Sequence, residues 1–377
     1  MIHDRIRQFL DKPGPWTSAY VDGQSPRHSE QAHERTVHHQ LIAAGAPEDD
    51  AAAIERALHE RRGIPSPSTH ILLATRGEVV LDETFLGARR GPEMLVHDLL
   101  PRVVQLLRHA SLAVRYVVVE AGRDSAEIKL ESASRGPQTH THIDGDSHDI
   151  TKVRGGGLSQ ANLQRYAENT WKRNQLEVAD AVLDVVREER PAFIVVAGDV
   201  RARQLLIDEL GHAENTPVIE VDLHTRPEGA GSAGLDDAVA DAVGSHLRER
   251  IQGIRDRVGA NGGSAGARGV ADVMAALQQA RAELVLIDAR MLGSGEEVLA
   301  LDAPPWVAGD ESEALGANVI CALPVVEALA RAAVLTDAYI VIEEETPLPI
   351  GAARGECSVR EPLAQLRWTE GDSTATA

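Results

Sequence analysis

Lys152 to Asn174 read KVRGGGLSQANLQRYAENTWKRN, and this stretch decides how the chain is organised. Three consecutive glycines, Gly155, Gly156 and Gly157, allow backbone conformations that other residues resist. They also leave no side chains between the chain and a close partner. Ser159 is placed to cap a helix that runs on to about Glu189. In it Leu163, Ala167, Trp171, Val178, Val182 and Val185 recur at spacings of three, four and seven, so they share one face. The helix N-terminus turns unpaired N–H groups and a positive dipole end toward the glycines, a setting that favours phosphate. Lys152, Arg154, Arg165, Lys172 and Arg173 are basic, and Glu168 is the only acid in the stretch. The plainer reading is a flexible turn followed by a surface Glu168–Lys172 pair, worth ~0.2–0.5 kcal/mol to the helix.

Outward from this helix the chain alternates strands and helices, so the expected class is α/β. After it, Phe193 to Ala197 (FIVVA) is an apolar run of the kind buried on both faces of a sheet. Gly198-Asp199 then opens another helix with Asp199 as its cap, and Val218 to Leu223 is the next strand. PEGAGSAG precedes a helix over Leu235 to Val258. Gly259 to Gly269 (GANGGSAGARG) reads as a linker. Beyond it a helix from about Val270 to Ala280, the strand Leu284 to Asp288 (LVLID), a helix over Val325 to Val334 and the strand Tyr339 to Glu343 make a small α/β/α unit. Before the glycines, Trp16 to Val21 reads as a strand and Ser29 to Arg62 as one helical stretch, broken by IPSPS. His70 to Ala74 and Glu78 to Phe85 form a hairpin across Arg76-Gly77. Leu95 to His109 has helical spacing, and Tyr116 to Glu120 with Ala126 to Glu131 is a second strand pair. Three domains are expected, over residues 1–132, 133–262 and 263–377.

Composition narrows the function classes. The 377 residues include 43% hydrophobic and 25% charged, which is ordinary for a globular protein, but only 3% aromatic. The core must therefore be built from Ala, Val, Leu and Ile. The net charge of −20 argues against a general nucleic-acid coat, while leaving room for local cationic patches. There is no run of about 18 apolar residues, and the N-terminus MIHDRIRQFLDKPGPW is charged throughout. A cytoplasmic protein is the expectation. Cys321 and Cys357 form no paired motif.

The glycine run resembles the tip of the middle domain of the archaeal and eukaryotic class-1 release factor and Pelota family. There a Gly-Gly-Gln-Ser tip opens a long basic helix. Gly156, Gly157, Leu158 and Ser159 match those four positions. LVLID, the helix before TDAYIVI (Thr336 to Ile342) and LAQLRW (Leu363 to Trp368) resemble the C-terminal domain in the same order. ITKVRGGG…AENTW (Ile150 to Trp171) is similar to the actinobacterial branch of bacterial homologues, a group that includes the Balon-type hibernation factors. The resemblance implies a three-domain release-factor-like architecture, with a glycine-rich tip loop on the α/β middle domain. It also implies binding in the A site of the 70S ribosome, where the first domain faces the decoding centre and the middle domain the peptidyl transferase centre. Elongation factor Tu is a partner of some relatives.

Leu158 stands where those factors carry the glutamine that places the hydrolytic water, and leucine has no group to orient water or stabilise developing charge. Gln160 lies two residues further on and would need a register change to replace it. The expectation is a non-catalytic A-site factor that blocks or protects a resting or stressed ribosome, acting without cofactor and monomeric when free. Its expected contacts with ribosomal RNA are Lys152, Arg154, Gly155, Gly156, Gly157, Leu158, Ser159, Gln160 and Arg165. Two other readings compete. One is peptidyl-tRNA hydrolysis by another residue near the tip. The other is a metal-dependent α/β enzyme, suggested by His140, His142, His148, Asp144, Asp146 and Asp149 in a stretch otherwise read as a solvated loop. The RGGG loop lacks the phosphate-loop pattern of nucleotide hydrolases.

Overall fold

The computed structural model describes all residues except 1, 11–13, 24–29, 61–65, 123–124, 145–157, 212, 223–232, 345–360 and 369–377. Within described elements, the side chains of residues 30–32, 137, 144, 158–169, 214 and 261–262 are also outside the description. The chain divides into two compact units. One is discontinuous and holds Met1–Leu112 with Glu249–Ala377; the other is Ala113–Arg248.

The first third contributes α1 (Ile2–Leu10), β1 (Trp16–Gly23), α2 (Glu30–Ala43), α3 (Glu48–Glu60), β2 (Ser68–Thr75), β3 (Glu78–Leu86), β4 (Met94–Asp98) and α4 (Val104–Ser111). The strands form an antiparallel sheet in the order β3-β2-β1-β4. Arg76 and Gly77 both have positive φ, the backbone a two-residue hairpin needs. Two helical expectations need correction here. Ser29 to Arg62 is two helices, because Gly45 at φ 90° ends the first and Pro47 opens the second. Leu95 is in a strand, since Met94 to Asp98 pair with β1, and Pro101 delays the helix to Val104. Ala19, Val21, Leu72 and Ala74 of the sheet pack on α2 and α3.

The middle unit contains β5 (Arg115–Ala121), β6 (Ser125–Ser132), β7 (Gly136–Asp144), α5 (Leu158–Glu189), β8 (Ile194–Gly198), α6 (Val200–Leu210), β9 (Val218–Glu220) and the first half of α7 (Ala233–Gly259). Its sheet runs β7-β6-β5-β8-β9, with β5, β8 and β9 parallel and the other two antiparallel. Val178, Ala179, Val182 and Val186 of α5, with Ala202 and Leu206 of α6, cover one face. Leu235, Val239, Ala242 and Val243 of α7 cover the other, beside Phe193 stacked on Tyr116. Every residue of β8 is buried, as a strand covered on both faces requires. The unit begins at Ala113 rather than at residue 133, because β5 pairs directly with β8.

The last third completes the discontinuous unit with β10 (Gly266–Arg268), α8 (Gly269–Gln278), β11 (Ala282–Asp288), β12 (Glu297–Leu301), β13 (Val307–Ala308), β14 (Val319–Pro324), α9 (Val325–Leu335), β15 (Tyr339–Glu343) and β16 (Leu363–Leu366). Sheets form in the orders β10-β16-β11-β15 and β13-β12-β14. The stretch expected as a linker is thus folded. β10 pairs with β16, and a Cβ at Gly266 would come within 2.5 Å of the Val258 side chain, so glycine permits the close approach. All eleven residues of α9 are buried. One continuous apolar cluster joins Ile6, Leu10, Phe85 and Leu107 of the first third to Val273, Leu329 and Ala333 of the last. Two charges inside α9 satisfy the ends of other helices. The Glu327 carboxylate accepts from the N–H groups of Val103 (3.0 Å) and Val104 (3.2 Å) at the start of α4. Arg331 donates from Nε to the Leu10 carbonyl at the end of α1 (2.9 Å) and from Nη1 to the Trp306 carbonyl (3.2 Å). Negative charge at a helix start and positive charge at a helix end both match the helix dipole.

Candidate functional site

The glycine tip is carried by the middle unit. β7 ends at Asp144 and α5 begins at Leu158. Lys152, Arg154, Gly155, Gly156 and Gly157 lie outside the described residues. Leu158, Ser159, Gln160 and Arg165 are all in α5, and their side chains lie outside the description. The helix is 32 residues long, about 48 Å at about 1.5 Å per residue. Asn174 and Gln175 are buried, and Gln175 Nε2 donates to the Gly122 carbonyl at the turn between β5 and β6 (3.0 Å). From there onward Val178, Ala179, Val182 and Val186 fasten the helix to the sheet. Leu158 stands about 24 Å of helix before Asn174 at the same rise. One end of a single long helix is therefore clamped by the sheet, and its other end opens directly from the glycines.

The cations of this helix divide. Lys172, 59% exposed, lies 3.5 Å from Glu209 of α6, while the side chain of Glu168, its expected partner, lies outside the description. Lys172 thus serves the packing of α5 against α6. Arg173 also has a partner. Lys152, Arg154 and the side chain of Arg165, the other cations expected at the tip, lie outside the description.

At the carboxyl ends of the parallel strands the residues are occupied with structure. Gly198 has φ 115°, and a Cβ there would meet the Ala121 carbonyl oxygen at 2.1 Å. Asp199 caps α6 by accepting from the N–H groups of Arg201 (3.0 Å) and Ala202 (3.2 Å). Arg203, 4% exposed, donates to Glu220 (2.7 Å), Asp222 (2.9 Å) and the Val221 carbonyl (3.1 Å). Among the described residues these side chains at this end of the sheet are engaged with one another and with the backbone.

The histidine stretch corrects another expectation. Thr139 to Asp144 are in the edge strand β7, in register with β6, and not in a loop. His140 and His142 are exposed, and His140 Nε2 lies 3.6 Å from Glu127. His148, Asp146 and Asp149 lie outside the described residues. Among the described residues no group of three His, Cys, Asp or Glu is arranged to hold a metal ion. No helix among them is long and apolar enough to cross a membrane. Cys321 is a free, partly buried thiol, and Cys357 lies outside the description. One feature that sequence reading missed is an arginine-lined cleft in the discontinuous unit, visible in sequence only as the pair Arg89-Arg90.

Residues 115–264 match the family model described as bacterial archaeo-eukaryotic release factor family 2. The matched span takes in the middle unit from β5 onward and includes the glycine tip. Over that span the chain is similar to the bacterial archaeo-eukaryotic release factors, the resemblance that the tip sequence implied. Among individual proteins, it is similar to uncharacterized proteins of two Mycobacterium tuberculosis strains. Each is 24% identical over 368 residues, covering 93% of this chain and 95% of the relative. Solved structures with lower similarity include the archaeal translation termination factor aRF1 (14% identity, 97% of each chain, TM-score 0.24) and Archaeoglobus fulgidus Pelota (16%, 80% of each, 0.32). Saccharomyces cerevisiae Dom34, a translation termination-like factor, is another (10%, 81% of each, 0.38).

Proposed function

We propose that this protein is a ribosome-binding factor that enters the A site without catalysing peptide release, and so holds or protects a resting or stalled ribosome. The observation that supports this reading is the family match across residues 115–264, a span that contains Leu158, which the resemblance puts in the place of the tip glutamine. An apolar side chain there can pack on a base but cannot position a nucleophilic water. The architecture of α5 is suited to the role. A tip that must reach a distant RNA surface needs a stiff support, and a 32-residue helix anchored to a sheet is one. In this reading Lys152, Arg154, Arg165 and the N–H groups of Gly155 to Gly157 meet ribosomal RNA phosphates, with Ser159 and Gln160 beside them. The three domains of the family would be the functional bodies, with residues 1–132 toward the decoding centre. Elongation factor Tu is a candidate delivery partner.

Co-sedimentation with vacant 70S ribosomes at fixed salt tests the reading. Saturable binding is expected, weakened at least about tenfold by the double change Lys152→Glu and Arg154→Glu, because each lost phosphate contact removes counterion release. No wild-type binding, with or without elongation factor Tu, would overturn it. Release of labelled peptide from programmed ribosomes checks the catalytic half: no release above background is expected. Turnover would favour peptidyl-tRNA hydrolysis instead.

A further inference from the structure

An open cleft of about 530 Å³ lies in the discontinuous unit, lined by Ala88, Arg89, Arg90, Arg108, Ala289, Arg290 and Glu344. Its walls are the β3–β4 connection, α4, and the residues at the ends of β11 and β15. Four guanidinium groups thus face one carboxylate in a chain whose net charge is −20. Three of the four are held by acids. Arg108, 8% exposed, donates from Nε (2.6 Å) and Nη2 (2.8 Å) to both oxygens of Glu344. Arg89 grips Asp22 (2.8 and 2.9 Å), and Arg290 Nε reaches Asp288 (2.9 and 3.1 Å). Arg90 differs. Its side chain is 44% exposed, and among the described residues it comes no nearer an acid than 3.9 Å from Glu344, which Arg108 already occupies. Its backbone is nevertheless fixed, because its N–H donates to the Tyr20 hydroxyl (2.7 Å).

His109 lies beside this cleft. The Tyr20 hydroxyl and His109 Nε2 are 3.0 Å apart, and His109 is stacked on Phe85. Burial, with Arg90 and Arg108 beside it, pushes the His109 imidazole down to about 4, so the ring stays uncharged. Asp22, Asp288 and Glu344 each hold another arginine closely, and among the described residues Arg90 keeps only its 3.9 Å approach to the shared Glu344. Volume, rigid backbone and an uncompensated planar donor are what a phosphate site requires, since a guanidinium fork matches phosphate oxygens.

We propose that this cleft binds a phosphate group through Arg90, with Arg108 and Arg290 flanking it. The phosphate belongs either to an RNA backbone or to a free nucleotide. The site is separate from the glycine tip and does not depend on how the tip acts.

The test uses the full chain at low salt with two probes: a fluorescein-labelled single-stranded RNA, followed by anisotropy, and GDP, followed by calorimetry. Arg90→Glu and Arg90→Gln are compared with wild type, and unchanged thermal midpoints establish that both variants fold. Arg90→Glu is expected to weaken binding about tenfold or more and Arg90→Gln less, as loss of a charge-assisted hydrogen bond implies. With RNA, the slope of log Kd against log salt is expected to fall by about one phosphate. Binding of the RNA alone assigns the site to a polynucleotide backbone, and binding of GDP alone to a free nucleotide. Failure of both probes to bind wild type, or equal binding by wild type and Arg90→Glu, overturns the proposal. The Lys152→Glu/Arg154→Glu chain should keep this binding, which separates the cleft from the tip.

Discussion

Glu327 and Arg331 stand one helical turn apart on α9, and each finds its partners far away in sequence: Val103 is 224 positions from Glu327, and Leu10 is 321 from Arg331. Burial raises the Glu327 carboxyl from 4.5 to about 7, although Arg102 and the two N–H groups it accepts from act the other way. Its contribution to stability is therefore full below 4.5 and is lost as pH rises through 7. A shift of that size corresponds to at most about 3 kcal/mol. Glu327→Gln keeps an acceptor for both N–H groups and removes the buried charge. It should raise the melting temperature at pH 8 and leave it nearly unchanged at pH 5, as measured by calorimetry. His109 acts in the opposite sense. Its folded value of about 4 lies below the ordinary 6.5, so its stability is present above 6.5 and lost as pH falls toward 4. In wild type the two slopes oppose each other between about 4.5 and 6.5. In Glu327→Gln the loss on acidification should stand uncovered. None of this is legible in VVEALARAAVL, where a charge every fourth residue reads as a solvated stripe.

Elements with their own periodicity were readable, and elements that depend on a neighbour were not. FIVVA, the hairpin at Arg76-Gly77 and the helix over 158–189 announce themselves through apolar spacing or turn residues. β7 carries exposed Thr and His side chains without alternation and is a strand because β6 offers it a paired edge. β10 likewise looks like a glycine linker until β16 pairs with it, and β16 comes about a hundred residues later. Leu95 has helical spacing, but β1 recruits it. The tip residues are contiguous in sequence, so they could be picked out together, but their side chains lie outside the described residues. The arginine cleft was illegible because its lining comes from three separated segments. The junction of β8 and α6 offers a graded test. Asp199→Ala removes a cap and should cost about 1 kcal/mol in urea unfolding. Gly198→Ala forces a Cβ toward the Ala121 carbonyl at positive φ and should cost several times more. Equal effects would mean that the close approach relaxes at little cost.

On the scale of the whole molecule, the first and last thirds share one core, while the middle unit keeps two cores of its own. The expected division at 132 and 262 treats the first third as a body that closes on itself. The shared cluster makes a different prediction. A chain ending at residue 262 should lose hydrogen-exchange protection in β1 to β4, because α9 no longer covers α1 and α4, while β5 to β8 remain protected. Retained protection in both regions would favour three separate bodies. The alternation of strands and helices gave the α/β class, but which thirds cohere depends on contacts between residues hundreds of positions apart.

The shared core also sets an order of events during synthesis. Among the described residues, α1, β1 to β4 and α4 leave the ribosome with an apolar face that α8, α9 and the sheet between them cover, and those segments are translated later. The middle unit is complete in sequence by Arg248 and can close before α9 has been made. The nascent chain thus carries an unfinished hydrophobic surface at its leading end throughout most of its elongation. It is exposed to chaperones and to aggregation until Glu327 and Arg331 emerge to seal it.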